Sequence, residues 1–175
     1  QCIKGGPDIG KYIFQMKVYR DCNGAATFTT AGQFLTHHNY PGIGQTSPIA
    51  LNFTSLTDIS PSGSIASGNT CFDCTTGQLG SVEEFIWTSN PTVLVGTPPS
   101  DGWHFTWDGC CRSSSIINGM ADAYFTLRAV MFPYTDPVTG NALPASPCYD
   151  SSPYFKEEAK TIICTGYEFS YSHNA

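Results

Sequence analysis

KYIFQMKVYR, residues 11–20, alternates without a break: Tyr12, Phe14, Met16 and Val18 fall on one side, Ile13, Gln15, Lys17 and Tyr19 on the other. A period of two is the signature of a β-strand with one face turned to a core. The run ends at Asp21-Cys22-Asn23-Gly24, where Asn-Gly is a strong turn signal, and Thr27–Thr30 is the expected returning partner. Working outward, further strands are expected at Ile49–Leu56, Glu84–Thr88, Thr92–Val95, Trp103–Trp107, Ala123–Phe132 and Lys160–Tyr171. Between them lie loops that combine Pro with Gly or Asn, such as 41–44, 60–63, 96–99 and 136–141. Helical periodicity is nearly absent, with Ser113–Asp122 the only candidate for a short helical turn. The spacing of the strands predicts an all-β, antiparallel β-sandwich of jelly-roll or immunoglobulin-like type, with residues 1–175 forming one domain.

Composition places that domain outside the cell. Only 13% of the 175 residues are charged, about half the usual globular share. Ser, Thr, Asn, Gly and Pro take their place. The net charge is −6, and Lys4, Lys11, Lys17, Arg20, Arg112, Arg128, Lys156 and Lys160 are scattered, which excludes a nucleic-acid partner that needs clustered cations. No apolar run is long enough to span a bilayer, and the absence of an apolar leader suggests a signal peptide removed or omitted. Eight cysteines, Cys2, Cys22, Cys71, Cys74, Cys110, Cys111, Cys148 and Cys164, are spread over the whole chain. Such spacing suits long-range disulfides in an oxidising compartment, an extracellular or cell-surface location. Eight cysteines admit about 105 pairings, and the sequence does not choose among them.

The groups that carry catalysis elsewhere do not assemble into a motif. Cys71-Phe-Asp-Cys74 is a C-x₂-C, but Cys110-Cys111 is the only other close pair, and adjacent residues rarely turn both sulfurs to one tetrahedral metal. His37 and His38 diverge in an extended segment, as do Glu83-Glu84 and Glu157-Glu158, so neither a chelate nor a glycosidase pair is expected from neighbours. Cys111 beside Arg112 lacks the surroundings of a nucleophile. An enzyme is therefore not expected, no metal site is assigned, and no cofactor is implied. Calcium held by loop aspartates (Asp21, Asp73, Asp101, Asp108, Asp122, Asp136, Asp150) is a secondary expectation without a D-x-D-x-D-G loop to support it. Tyr40, Tyr134, Tyr149 and Tyr154 lie in loops and are the candidate contact aromatics, for instance toward glycans.

Three segments carry a family resemblance: YIFQMKVYRDCNG (12–24), WHFTWDGCCRSSSIIN (103–118) and SSPYFKEEAKTIICTGYEFSYSHNA (151–175). Together they resemble the N-terminal module of large surface proteins of gliding Bacteroidetes, which carry Y-R-D-C-x-G, then C-C-R-N, then S-S-P-x-F followed by C-x-G-x-x-F-x-Y. Ser113 departs from the Asn usual there. The resemblance implies a type IX-secreted, non-catalytic adhesin or gliding-associated module, a piece of a longer protein or a filament subunit. Its implied partners are other surface domains or copies of itself. Arg20, Asp21 and Arg112 are expected to brace the cysteine region through charge-assisted hydrogen bonds. A filament would need a terminal strand, Lys160–Tyr171 or the N-terminal segment, to complete a neighbour's sheet. The competing readings are a carbohydrate-binding module and, behind it, a secreted hydrolase.

Overall fold

A computed structural model describes residues 1–24, 26–40, 48–60, 74–75, 81–112 and 123–153. They form six strands: β1 (Gln15–Asp21), β2 (Gln33–His38), β3 (Ile49–Asp58), β4 (Val82–Ser89), β5 (Trp103–Gly109) and β6 (Phe125–Met131). All neighbours are antiparallel, and the spatial order is β1-β4-β3-β2-β5-β6. The sheet is a single curled one, a half-barrel. The two facing layers of a sandwich are not seen among the described residues.

The curl turns on β2. Its first half, Gln33–Leu35, pairs with β3, and its second half, Thr36–His38, pairs with β5. A short strand that divides its bonds between two neighbours lets the sheet bend between them, the device by which orthogonally packed sheets make corners. The register between β3 and β4 slips between Phe53 and Ser55, leaving Thr54 as the extra residue of a bulge, which adds local twist.

Alternation then fills the concave side. Met16 and Val18 of β1, Phe85 and Trp87 of β4, Ile49 and Leu51 of β3, and Trp103, Phe105 and Trp107 of β5 are all buried. Two linked clusters result. One gathers Tyr12, Tyr40, Ile49, Leu94, Trp103, Phe105 and Met131, the other Met16, Val18, Leu51, Phe85, Trp87 and Trp107. Each fully buried side chain of this size contributes about 1.5–3 kcal/mol. Both wide indoles of the second cluster keep their N–H groups satisfied: Trp87 donates to the Ala31 carbonyl at 2.9 Å and Trp107 to Gln33 Oε1 at 3.1 Å. Gly109 leaves room for the Trp107 ring to fold over it, since a Cβ there would collide with the indole.

The strand expectations hold for β1, β3, β4, β5 and β6 with shifted ends. Three details differ. Thr27–Thr30 is not a strand, and β1 pairs with β4. Thr92–Val95 contributes only an isolated bridge between Tyr12 and Thr92. β2 was not expected, because the alternation of QFLTHH is carried by two histidines and a threonine rather than by apolar residues. Ser113–Asp122 and Lys160–Tyr171 lie outside the described residues.

Phe28 joins the two arms of the curl. From the segment before β2, its ring lies 5.6 Å from Phe85, 6.4 Å from Trp87 and 6.3 Å from Trp107, although β4 and β5 are separated by two strands in the sheet. Phe28→Ala should lower unfolding free energy by about 3 kcal/mol, and Phe28→Leu by markedly less. Denaturant melts with an unchanged slope would give this value directly. A loss under about 1 kcal/mol would mean that Phe28 does not hold the arms together.

Candidate functional site

The end of β1 and the turn that follows it carry a group of interacting side chains. Arg20, the last residue of the KYIFQMKVYR run and part of β1, donates from Nε to Glu83 of β4 and from a terminal nitrogen to the Ala26 carbonyl at 3.1 Å. Both partners of the ion pair are mostly buried, with side chains 18% and 12% exposed. Antiparallel pairing places Arg20 directly opposite Glu83, so the pair follows from the register. Asp21 accepts from the Asn23 N–H at 2.9 Å and shapes the Asn-Gly turn. Immediately beyond, Cys22 is joined to Cys74, with Cα atoms 5.2 Å apart. Asp58, at the end of β3, accepts from the Cys74 N–H at 2.7 Å and from the N–H and hydroxyl of Ser60. These hydrogen bonds, led by that of the Ser60 hydroxyl, hold the Asp58 carboxyl below the usual carboxylate range. The carboxylate thereby fixes the backbone that presents Cys74 to Cys22.

The second bridge ties distant ends of the described chain. Cys2 and Cys148 are joined, Cα atoms 5.5 Å apart, across 146 residues of sequence. The Cys148 N–H donates to the Gly10 carbonyl at 2.9 Å, and the Cys2 N–H to Ser151 Oγ at 2.9 Å. In the chain-entropy description, closing loops of 146 and 52 residues restricts the unfolded chain by about 5 and about 4 kcal/mol. Cys110 and Cys111 are joined to each other across a cis peptide bond. Cys71 and Cys164 lie outside the described residues.

Sulfur and carboxylate atoms of Cys22, Cys74 and Glu83 lie within 4.8 Å of one another, a spacing that suits a metal ion. Joined as a disulfide, however, the sulfurs are not thiolate ligands, and Glu83 already takes the Arg20 guanidinium. The described aspartates named as calcium candidates each accept a local hydrogen bond. Asp101 accepts from Asn39, Asp108 from Thr126, Asp136 from the Val138 and Thr139 amides, and Asp150 from the Ser151 amide. Asp73 and Asp122 are outside the described residues. Sequence reasoning separated His37 from His38; it missed that antiparallel pairing sets His38 opposite His104 across β2 and β5. His104 Nε2 lies 3.0 Å from the Asp101 carbonyl, and the His37 ring packs edge-on against Tyr40.

Of the candidate contact aromatics, Tyr40 is a core residue, 6% exposed, whose hydroxyl accepts from the Val95 N–H at 2.9 Å. Its place in the sequence, just before Pro41-Gly42, gave no hint of that burial. Tyr134 and Tyr149 come together, ring centroids 5.6 Å apart and planes inclined by 32°, with exposed Phe132 beside them offering its carbonyl to the Tyr149 hydroxyl. Tyr154 lies outside the described residues, and Arg112 is exposed, engaged through its backbone N–H to the Ala123 carbonyl.

One groove, about 510 Å³, lies where the curled sheet fails to close. Its walls come from β1 (Gln15, Lys17) and β6 (Ala129, Val130), and its floor includes Phe14 and Phe105, whose rings are 4.7 Å apart. Tyr12 stands at its end, donating to the Ala145 carbonyl at 3.1 Å and accepting from the Tyr149 N–H at 3.3 Å. Burial pushes the Tyr12 phenol from its ordinary 10 up to about 12. The folded state thus keeps a proton that the unfolded chain releases above pH 10, so the stability from this group is present below pH 10 and is lost as pH rises toward 12. The stability difference between the protein and Tyr12→Phe should therefore shrink between pH 10 and 12, measured by denaturant titration at each pH. A constant difference would show that the phenol titrates alike in both states.

No family model, no curated protein and no solved structure matches this chain.

Proposed function

We propose that the chain is a non-catalytic structural or adhesive module of a cell surface, acting beside other surface domains or copies of itself. The observation that carries this reading is the pair of long-range disulfides, Cys2–Cys148 and Cys22–Cys74, set around a curled antiparallel sheet. Bridges of this span stiffen a domain that must persist where no chaperone refolds it, and they persist only where thiols are kept oxidised. The charged side chains nearest them serve the same end: Arg20, Glu83 and Asp58 hold strand ends and the Cys74 backbone in place. The resemblance of YRDCNG, CCR and SSPYF to the surface modules of gliding Bacteroidetes adds secretion by the type IX route, and a place in a longer adhesin or a filament, to the same proposal.

A second reading, carbohydrate binding, is favoured by one observation, exposed Tyr134 and Phe132 beside the half-buried Tyr149 ring. Paired aromatic faces are what sugar rings stack upon.

Protease treatment of intact cells, followed by mass analysis of what is released, tests the first reading. The expected result is release of this chain, alone or inside a longer one, with digestion of the domain itself requiring prior reduction. Recovery only from the cytoplasm with free thiols would overturn it. For the second reading, a glycan screen should show binding that Tyr134→Ala abolishes while the melting temperature stays within a few degrees. No binding by the intact protein would remove it.

A further inference from the structure

β2 and β5 meet over three register pairs, and the last of them sets His38 opposite His104. Two residues earlier the Thr36 and Thr106 hydroxyls lie 2.6 Å apart, so that pair shares one face of the sheet. Alternation carries His38 and His104 to the same face, side by side across the two strands. Directly opposite positions hold their Cβ atoms about 4.5–5.5 Å apart. That lies within reach of two imidazoles sharing one ion, whose Zn–N bonds are about 2.0–2.1 Å. His37 turns to the other face and packs its ring edge-on against Tyr40.

A hydrogen bond prepares one of the two rings. His104 Nε2 lies 3.0 Å from the Asp101 carbonyl. A carbonyl only accepts, so Nε2 carries the proton and the neutral ring keeps its free lone pair on Nδ1. Donation from one ring nitrogen to a backbone carbonyl is the arrangement that orients metal-bound histidines. Asp101 also holds the opposite strand. Its carboxylate accepts from Asn39 Nδ2 at 2.7 Å, and Asn39 follows His38 directly. With a φ of 60°, a left-handed conformation that asparagine tolerates, Asn39 turns the chain at the end of β2. One residue thus fixes both strand ends that carry the pair.

The surroundings leave the pair accessible. His38 is exposed and His104 half-buried, and no hydrogen bond to a described residue engages the His38 ring. On β6 the residue opposite His104 is the uncharged Val130, while Arg128 stands two positions along, opposite Thr106. We propose that His38 and His104 form a surface site for a divalent late first-row cation, Zn²⁺ or Cu²⁺, completed by water. Imidazole nitrogen suits these metals, whereas Ca²⁺ and Mg²⁺ take oxygen ligands. His104 binds through Nδ1. A bound ion ties the end of β2 to β5, the short ladder on which the curl of the sheet turns.

Calorimetric titration of the oxidised full chain with Zn²⁺ alone, after alkylation of any free thiols, tests this site. One equivalent should bind, and excess Ca²⁺ should not displace it. His38→Gln, a change at an exposed position, should weaken binding at least about 10-fold. His37→Gln should bind like the parent chain. Imidazole nitrogen NMR of the parent should show zinc at Nδ1 of His104 while Nε2 keeps its proton. Saturating zinc should raise the melting temperature of the parent and, at the same concentration, raise that of His38→Gln less. Absence of binding would overturn the proposal, and so would an affinity unchanged in His38→Gln. Coordination of His104 through Nε2, or a melting temperature unmoved by saturating zinc, would overturn it as well.

Discussion

Phe28 sits against Phe85, Trp87 and Trp107 at once, and the rest of the architecture depends on that contact. A six-stranded antiparallel sheet has two faces to cover, and this one has no described helix or second sheet to lay against either. The solution is to curl, so that one end of the sheet covers the other. β2, sharing its bonds between β3 and β5, sets the bend, and the aromatic groups of β4, β5 and Phe28 fill what the bend encloses. The concave face becomes the core, and on the convex face Asn52, Thr54 and Thr36 are exposed together with Phe34.

Much of this was legible in the chain, because the alternation of KYIFQMKVYR, WHFTW and ALNFTSL directly states which side chains share a face. What alternation does not state is how the faces are brought together. The same period-two pattern serves a two-layer sandwich and a curled single sheet equally well, so the closing geometry lay beyond it. β2 escaped notice because His37, His38 and Thr36 hide its period, and Tyr40 was read as a loop aromatic because burial by neighbours on β5 has no local signal. The Cys22 turn was legible as chemistry but not as pairing. Only the register that puts Arg20 opposite Glu83, and Asp58 beside Cys74, shows why these residues stand where they do.

The two long-range bridges complete what the core begins. Curling leaves the segments outside the strands, 1–14 and 132–153, without ladders of their own, and it is there that Cys2 and Cys148 meet, beside Tyr12 and the Ala145 carbonyl. At the opposite end of β1, Cys22 is joined to Cys74. Stability is thus divided between an aromatic interior and covalent ties at both ends of one strand.

Peptide mapping of the native, non-reduced chain after blocking free thiols tests this account most directly. It predicts one disulfide-linked pair of peptides joining Cys2 to Cys148 and another joining Cys22 to Cys74. A bridge within Cys71–Cys74, or blocked free thiols at Cys2, Cys22, Cys74 and Cys148, would contradict it.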